Sequence, residues 1–254
     1  MTLFFNKFRL ALAPVLRAPT AIILLAAGLL SGVPAWAGVF SVTPVRIYMT
    51  PRDRAVAVTI TNEGNTALVL QADLNAWSQK PDGTDEQIPT EDMILSPPII
   101  KLAPNARQVV RLALLKPADA SHQLIYRMIL REVPEALASR DKTIQVPIAL
   151  ALSMPVFITP APAKRDMSCQ ADRAGEQSLN VSCTNSGTAY AQVREILVKR
   201  GAQTLARFQG GTYILPGARH VMSAQGEQTI ASGAAQFSVS FDDGQSQTFD
   251  VLLP

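Results

Sequence analysis

The sequence contains few side chains that could carry catalytic chemistry. Its only two histidines, His122 and His220, each follow a turn-like segment, where a solvated loop residue is expected. No Gly-x-Ser-x-Gly, His-Glu-x-x-His or glycine-rich phosphate motif is present. Asp242 and Asp243 precede Gly244, a pattern typical of a hairpin turn rather than of a carboxylate pair. We therefore expect no catalytic residues, and only an acid–base pair assembled across the fold would indicate an enzyme.

The two cysteines, Cys169 and Cys183, are the second candidate group. With two Cys and two His, most zinc and iron–sulfur ligand sets cannot be assembled, so we expect no metal and no cofactor. In an oxidising compartment the pair favours a structural disulfide, worth about 3 kcal/mol in the chain-entropy model. A redox-active pair is the alternative, but such pairs usually occupy a Cys-x-x-Cys motif.

The first 37 residues have the order of a secretory signal. Lys7, Arg9 and Arg17 precede an apolar run at 21–30, and small residues follow at Ala35 and Ala37. The run is shorter than the ~20 residues that span a bilayer, so we predict export, cleavage after Ala37 and no permanent membrane span. An uncleaved N-terminal anchor is the alternative.

This first segment also explains the basic charge of the chain. The formal net charge is +3, and residues 1–37 contain three basic residues and no acid. Without them, 20 basic residues balance 20 acidic ones. A nucleic-acid partner is therefore not expected.

The rest of the chain is predicted to be all-β. Apolar and polar residues alternate in short runs separated by Gly, Asn, Asp and Pro turns, a spacing typical of β-sandwiches. Only residues 135–140 look mildly helical. The predicted strands cover 55–61, 67–74, 99–102, 108–114, 124–133, 145–158, 178–184, 189–199, 212–215, 235–241 and 247–253.

A Pro- and Ala-rich segment divides the strands into two groups. Residues 159–165 carry no apolar pattern and are predicted to be a hinge. The predicted organisation is a signal peptide at 1–37, a first sandwich at 38–158, the hinge at 159–165 and a second sandwich at 166–254.

One predicted strand is unusually apolar along one face. Pro147 and Pro155 lack an N–H donor, which places this strand at a sheet edge. A long apolar edge strand is a liability unless it is covered or used, so it is either an ordinary core strand or a site where a partner adds a strand. Its alternating large residues are Ile144, Val146, Ile148, Leu150 and Leu152.

Four segments resemble the periplasmic pilus-assembly chaperones, and they follow one another along the chain in the same order as in that family. Residues 94–112 read Ile-Leu-Ser-Pro-Pro-Ile-Ile-Lys-Leu-Ala-Pro-Asn-Ala-Arg-Gln-Val-Val-Arg-Leu, close to the Pro-Pro block and exposed strand of that family. Residues 126–134 are similar to its next strand, which ends in Arg-Glu-Ile-Pro, and residues 40–46 to its first strand. Residues 148–160, with Met-Pro-Val-Phe, are similar to its donor strand in the divergent archaic branch.

The resemblance implies a periplasmic location, a fold and a function. The fold is two immunoglobulin-like β-sandwich domains in an L-shaped arrangement with a cleft between them. The function is to bind, fold and cap pilus or fimbrial subunits by donor-strand complementation, without ATP, and to deliver them to an outer-membrane usher. Self-association through the donor strand is a further expected contact. A secreted two-domain adhesin or pilus component is the competing hypothesis.

The resemblance also assigns roles to cleft residues. Arg46 matches the arginine of the family that anchors the C-terminal carboxylate of the subunit. The usual lysine of the donor strand is replaced by Ser153, and the usual asparagine of the neighbouring strand by Ile129. Arg127 is the candidate for a second anchor, and a solvated strand-face arginine is its alternative.

Overall fold

Short β-strands form the regular structure of this chain. The computed structural model describes residues 40–134 and 149–254, and these residues all lie in one compact unit. No helix that could cross a membrane occurs within those two ranges. The strands are β1 Phe40–Thr43, β2 Ile47–Met49, β3 Ala55–Asn62, β4 Leu68–Gln79, β5 Asp85–Pro89, β6 Met93–Ser96, β7 Ile99–Leu102, β8 Arg107–Leu114, β9 Leu124–Glu132, β10 Ala151–Ile158, β11 Met167–Gly175, β12 Ser178–Asn185, β13 Ala191–Arg200, β14 Gln203–Ile214, β15 Arg219–Gln225, β16 Gly233–Phe241 and β17 Ser246–Leu253.

Strands β1 to β10 form a sandwich of two sheets. One sheet has the order β1-β3-β8-β6, and the other has the order β2-β10-β9-β4-β5, with β7 paired to β4. Alternation decides which side chains enter the core: on β8, Val110 and Leu112 are fully buried, whereas Val109 and Arg111 are exposed. The inner faces of both sheets contribute to a single apolar core.

Strands β11 to β17 enclose a second apolar core. Their order is β11-β12-β15-β14-β13-β16-β17. β14 and β15 share only the pair Arg207↔Gln225, and the two end strands, β11 and β17, contact each other, so the sheet bends around its core. The predicted disulfide is present: Cys169 and Cys183 are cross-strand partners on β11 and β12 with a Cα–Cα distance of 4.1 Å.

The predicted all-β class is confirmed, with differences in strand limits. The prediction at 212–215 captured only the end of the twelve-residue strand β14. The polar, Gly-containing sequence of β14 has little alternation, and pairing with β13 rather than intrinsic pattern makes it a strand. The domain limits 38–158 and 166–254 stay a prediction.

The predicted hinge, residues 159–165, is held by hydrogen bonds on both sides. The Thr159 amide donates to the Met49 carbonyl at the end of β2. The Lys164 carbonyl accepts hydrogen bonds from the Thr188 and Ala189 amides, just before β13. This segment therefore connects the two cores as a tied linker.

Several predictions fall outside the described residues. These are the signal peptide at 1–37, the weak helix at 135–140 and three members of the apolar strand, Ile144, Val146 and Ile148.

Candidate functional site

One edge of β10 pairs with β9 along its whole length, whereas the opposite edge is covered by β2 only in part. Residues Ala151–Ile158 pair with β9, but β2 covers the opposite edge of β10 only at Val156–Ile158. Among the described residues, Ala151–Pro155 therefore have no strand on that side. Among the residues that the structure describes, the predicted edge position therefore fits Ala151–Pro155 but not Val156–Ile158, which β2 covers.

The apolar residues on the free half of β10 are partly accessible. The Leu150 residue is 49% exposed, and Leu152 is half-buried against the first core. Further along, Met154, Val156 and Ile158 are buried in that core. The alternating apolar face thus passes from solvent into the sandwich as β10 approaches β2.

Arg46 and Arg127, here called the arginine pair, flank Pro155 at the end of the free edge. Arg46 immediately precedes Ile47, whose partner on β10 is Val156, so Arg46 lies level with Pro155. On the other side, Arg127 of β9 is the cross-strand partner of Pro155. Ile47 faces the core, so Arg46 faces the outer side of the sheet, as does Arg127 between the buried Tyr126 and Met128.

Arg46 is bound to an acid from the far end of the chain. Its Nη1 donates to Asp242 Oδ2 at 3.0 Å, and the side chains are 32% and 9% exposed. The Tyr190 hydroxyl donates to the same oxygen at 2.9 Å, and it lies 3.0 Å from the Tyr48 hydroxyl. Among the described residues, Asp242 is the only acid bound to Arg46, so one edge of the guanidinium, which also lies near the Tyr48 hydroxyl, stays available to a further carboxylate.

Arg127 is held by aromatic rings rather than by an acid. Its guanidinium carbon lies 3.6 Å from the centroid of the Trp77 ring and 5.6 Å from that of Tyr213. Its Nε is buried and lacks a partner among the described residues. Burial lowers the pKa of Arg127, while the charge of Asp85 and the nearby Tyr213 oppose that change. The Arg127 side chain is therefore partly buried against rings and not fully solvated, and its role as an anchor stays a prediction.

Five aromatic rings form a cluster between the two cores. The Phe157 ring stacks on Tyr190 with centroids 3.9 Å apart, and the Trp77 ring meets Tyr213 edge-on at 5.2 Å. Tyr48 stacks on Phe157 at 5.8 Å and is 53% exposed. Trp77, Phe157 and Leu215 are the buried centre of this aromatic cluster.

Both members of the arginine pair affect the pKa of Tyr213. Burial raises the pKa of the Tyr213 phenol, and the positive charges of both Arg46 and Arg127 oppose that rise. Tyr213 therefore lies within electrostatic reach of both guanidinium groups. Burial is also the main cause that raises the pKa of Tyr190, with Tyr48 and Asp242 adding to it.

Two interpretations of polar residues need correction. His220 is not a loop residue: it lies on β15, where its ring approaches the tip of the β4–β5 hairpin at Gly83. Asp242 is more than a turn residue, because it is a nearly buried partner of Arg46 and Tyr190. Sequence reasoning could not find these contacts, because Arg46 and Asp242 are 196 positions apart.

The described residues assemble little that resembles a catalytic site. His122 Nδ1 lies 2.9 Å from Ser121 Oγ and 3.5 Å from Asp119 Oδ1, but all three belong to one exposed turn. Hydrogen bonds from the Ser121 and His122 amides lower the pKa of Asp119 to about 2, as in an ordinary Asx turn. Within these ranges, no three His, Cys, Asp or Glu side chains are grouped to hold a metal ion.

Solved structures with the same fold are chaperones of pilus systems. One is the pre-assembly complex of the CsuC chaperone and CsuE tip adhesion subunit from the archaic Csu pili of Acinetobacter baumannii; it has 18% identity, a TM-score of 0.60, and covers 85% of this chain and 99% of that one. A second is the E. coli chaperone DraB, with 15% identity, a TM-score of 0.56, and 85% and 97% coverage.

A third similar structure also contains a client protein. The complex of the SafA pilin with the SafB chaperone from Salmonella enterica has 14% identity and a TM-score of 0.57, and covers 86% of this chain and 98% of that one. No curated protein sequence matches the chain. At these identities the structural matches establish the fold alone.

The sequence profile of one family covers the first sandwich and the linker. The pili and flagellar-assembly chaperone family, PapD N-terminal domain, matches residues 39–164, which contain the free edge of β10 and the arginine pair. The chain therefore belongs to the pilus-assembly chaperones, with the PapD-like fold of two immunoglobulin-like β-domains.

Proposed function

We propose that this chain captures pilus subunits in the periplasm by donor-strand complementation. In this proposal, a client strand lies along the free edge of β10, and alternating residues of the donor strand fill the open groove of the client. The donor residues are Ile144, Val146, Ile148, Leu150 and Leu152. The observation that carries the proposal is that this edge ends at the arginine pair.

The edge supports strand addition up to a defined stop. Residues Ala151–Pro155 lack a partner on one side among the described residues, and an added strand can satisfy such backbone groups. Pro155 has no N–H to donate, and from Val156 onward β2 occupies the edge. An added strand must therefore end next to Arg46, which lies level with Pro155.

The arginine pair suits a carboxylate at that stop. A carboxylate that leaves water needs charged hydrogen-bond donors, and a guanidinium offers two in a planar fork. Arg46 has an available edge, and Arg127 has no carboxylate partner among the described residues. Arg131, the next arginine on β9, pairs with Asp73 instead. We therefore assign the C-terminal carboxylate of the client to Arg46 and Arg127.

Delivery to an outer-membrane usher belongs to the same proposal. It is supported by the family match and by the archaic chaperone–usher system of one structural relative. Self-association through the donor strand in the absence of a client is supported by the exposed Leu150 at the free edge. Export by a signal peptide cleaved after Ala37 is part of the proposal as well.

A peptide titration tests the carboxylate site. The probe is a synthetic 12-residue peptide of alternating Val and Ser with a free C-terminal carboxylate, and its twin carries a C-terminal amide. We expect the amide to bind about 30-fold more weakly or worse, because losing one partner of a desolvated charge pair costs roughly 2–5 kcal/mol. Equal affinity of the two peptides would contradict the anchor.

The matched control separates the anchor from a nonspecific basic surface. Arg54 is exposed in the loop before β3 and carries the same charge as Arg46. Arg54→Ala should leave the difference between acid and amide peptides unchanged, whereas Arg46→Ala should remove most of it.

A further inference from the structure

One glutamine joins the two cores beside the arginine pair. Gln79 ends β4, and both atoms of its amide bond to the backbone at the end of β14: Nε2 donates to the Tyr213 carbonyl at 3.1 Å, and Oε1 accepts from the Leu215 amide at 2.8 Å. Nε2 also donates to Asp85 Oδ1 at 2.9 Å. Gln79 therefore fixes the backbone of Tyr213 to the first sandwich.

The hairpin that carries Gln79 is docked on the second sandwich at its turn end. Beyond Gln79, the Arg219 amide donates to the Pro81 carbonyl at 3.1 Å. At the tip, Gly83 is buried, and a Cβ added there would lie 2.5 Å from the Arg219 carbonyl oxygen. The turn end of the β4–β5 hairpin thus contacts β15 too closely to slide, and the pair Gln79↔Asp85 lies directly next to that turn.

The same hydrogen bonds place the rings around Arg127. The oxygen of Asp85 that accepts from Gln79 also accepts from Trp77 Nε1 at 3.0 Å. Trp77 and Tyr213 are the two rings that the Arg127 guanidinium faces. Gln79 therefore orients the Trp77 ring through Asp85, and it orients the Tyr213 ring through the backbone carbonyl of Tyr213.

We propose that Gln79 is a positioning residue for client binding, which it assists by holding Trp77 and Tyr213 around Arg127. This inference rests on the proposed function, because Arg127 must contact the client carboxylate. Gln79 itself makes no hydrogen bond to Arg127 and acts through the two rings. Its loss lets Tyr213 move with the second sandwich, and the Arg127 guanidinium, which no acid holds among the described residues, loses its fixed direction.

A double-mutant cycle tests this role. The readout is the affinity for the free-acid Val/Ser peptide, measured with folded proteins checked by circular dichroism. Arg127→Ala should weaken binding about tenfold, and Gln79→Ala about three- to tenfold. In the Arg127→Ala background, Gln79→Ala should cause no further loss, because the residue it positions is absent. Gln79→Met, which keeps the side-chain volume, should reproduce the result if the alanine variant folds poorly.

Gln123 provides the matched control. It too is a glutamine between the cores, and it is buried: its Oε1 accepts from the Tyr190 amide at 2.9 Å, and its Nε2 donates to Thr159 Oγ1 at 2.6 Å. It makes no hydrogen bond to the residues that surround Arg127 within the described chain. Gln123→Ala should therefore lower stability and change affinity by the same factor with or without Arg127.

The outcomes distinguish the inference from the proposed function. If Gln79→Ala weakens binding equally in both backgrounds, Gln79 only stabilises the fold and the positioning role is overturned. If Arg127→Ala has no effect while the acid peptide still binds better than the amide, the anchor stands without Arg127 and the positioning role is overturned. If acid and amide bind alike, the proposed function itself fails.

Discussion

Arg46 has one bond to Asp242 and one available edge, and these have separate consequences. Arg46→Ala should weaken the free-acid peptide about 30-fold through the lost carboxylate contact. It should also lower the free energy of unfolding by about 1–3 kcal/mol, because the nearly buried Asp242 keeps only the Tyr190 hydroxyl. Isothermal titration and denaturant unfolding measure the two effects.

A second substitution separates the two effects. Adding Asp242→Asn to Arg46→Ala removes the orphaned charge, so stability should recover by about 1 kcal/mol while affinity stays low. If Arg46→Ala lowers stability but leaves the peptide affinity unchanged, Arg46 serves only as a link between the cores.

The burial of Tyr190 leads us to expect a loss of stability in alkaline solution. Burial raises its pKa in the folded chain, whereas an unfolded tyrosine ionises near pH 10. Above about pH 10 the unfolded state therefore binds fewer protons, and the free energy of unfolding falls by up to ~1.4 kcal/mol per pH unit for this residue. Below pH 10 this contribution is fully present.

The corresponding variant is Tyr190→Phe. It should cost about 1 kcal/mol at pH 7, since the hydrogen bond to Asp242 is lost, and it should make the decline above pH 10 shallower. Urea unfolding of both proteins between pH 8 and 11.5 measures this. An unchanged slope would mean that Tyr190 ionises freely in the folded state.

At the residue scale, the local sequence indicates the two arginines of the site but not the residues that surround them. Arg46 and Arg127 were found through the resemblance of the strands that carry them. Their partners Asp242, Tyr190 and Tyr213 come from the second sandwich and have no motif. Only the tertiary packing of chain segments up to 196 positions apart brings these groups together.

At the scale of elements, the donor strand gives a paired prediction. Ile148→Asp should abolish capture of a pilus subunit while the protein stays folded, because it puts a charge on the face that fills the client groove. Ala149→Asp changes the neighbouring residue, which is exposed and of opposite alternation, and should have little effect. Pull-down of a co-expressed subunit measures capture, and equal loss in both variants would argue against an alternating donor face.

The β4–β5 hairpin gives a second prediction at this scale. Gly83 has φ +86° and no room for a Cβ, so Gly83→Ala should lower the free energy of unfolding by roughly 2–4 kcal/mol. Gly201 has φ +59° and open space around it, so Gly201→Ala should cost only about 1 kcal/mol. Similar losses in the two variants would mean that the hairpin is not tightly docked.

Alternation predicted some of the strands that line a core and missed others, among them β2, β6, β11 and β15. β8 and β9 were placed within one residue because one of their faces is buried against the other sheet. β5 was missed because all five of its residues are exposed, and its pairing with β4 alone makes it a strand. The free half of β10 was predictable from its prolines, but its cover by β2 depends on a contact that only the fold creates.

At the scale of the whole molecule, the contact between the two sandwiches contains aromatic, polar and charged side chains. The aromatic cluster fills the contact, Gln79 and Gln123 bond across it, and Arg46–Asp242 is an ion pair across it. Composition and periodicity predicted two sandwiches, whereas the cleft and its client followed only from the resemblance to pilus-assembly chaperones. No pattern in the sequence describes how one sandwich contacts the other.

A chaperone differs from a pilus component in that it holds a subunit only temporarily. The most direct measurement is co-expression with a pilus subunit and an usher, followed by native mass spectrometry of the periplasmic extract and immunodetection on purified fibres. The account predicts a soluble 1:1 complex of chain and subunit, lost in Ile148→Asp, and fibres that contain the subunit but not this chain. Incorporation of the chain into the finished fibre would contradict the account and identify a structural pilus component instead.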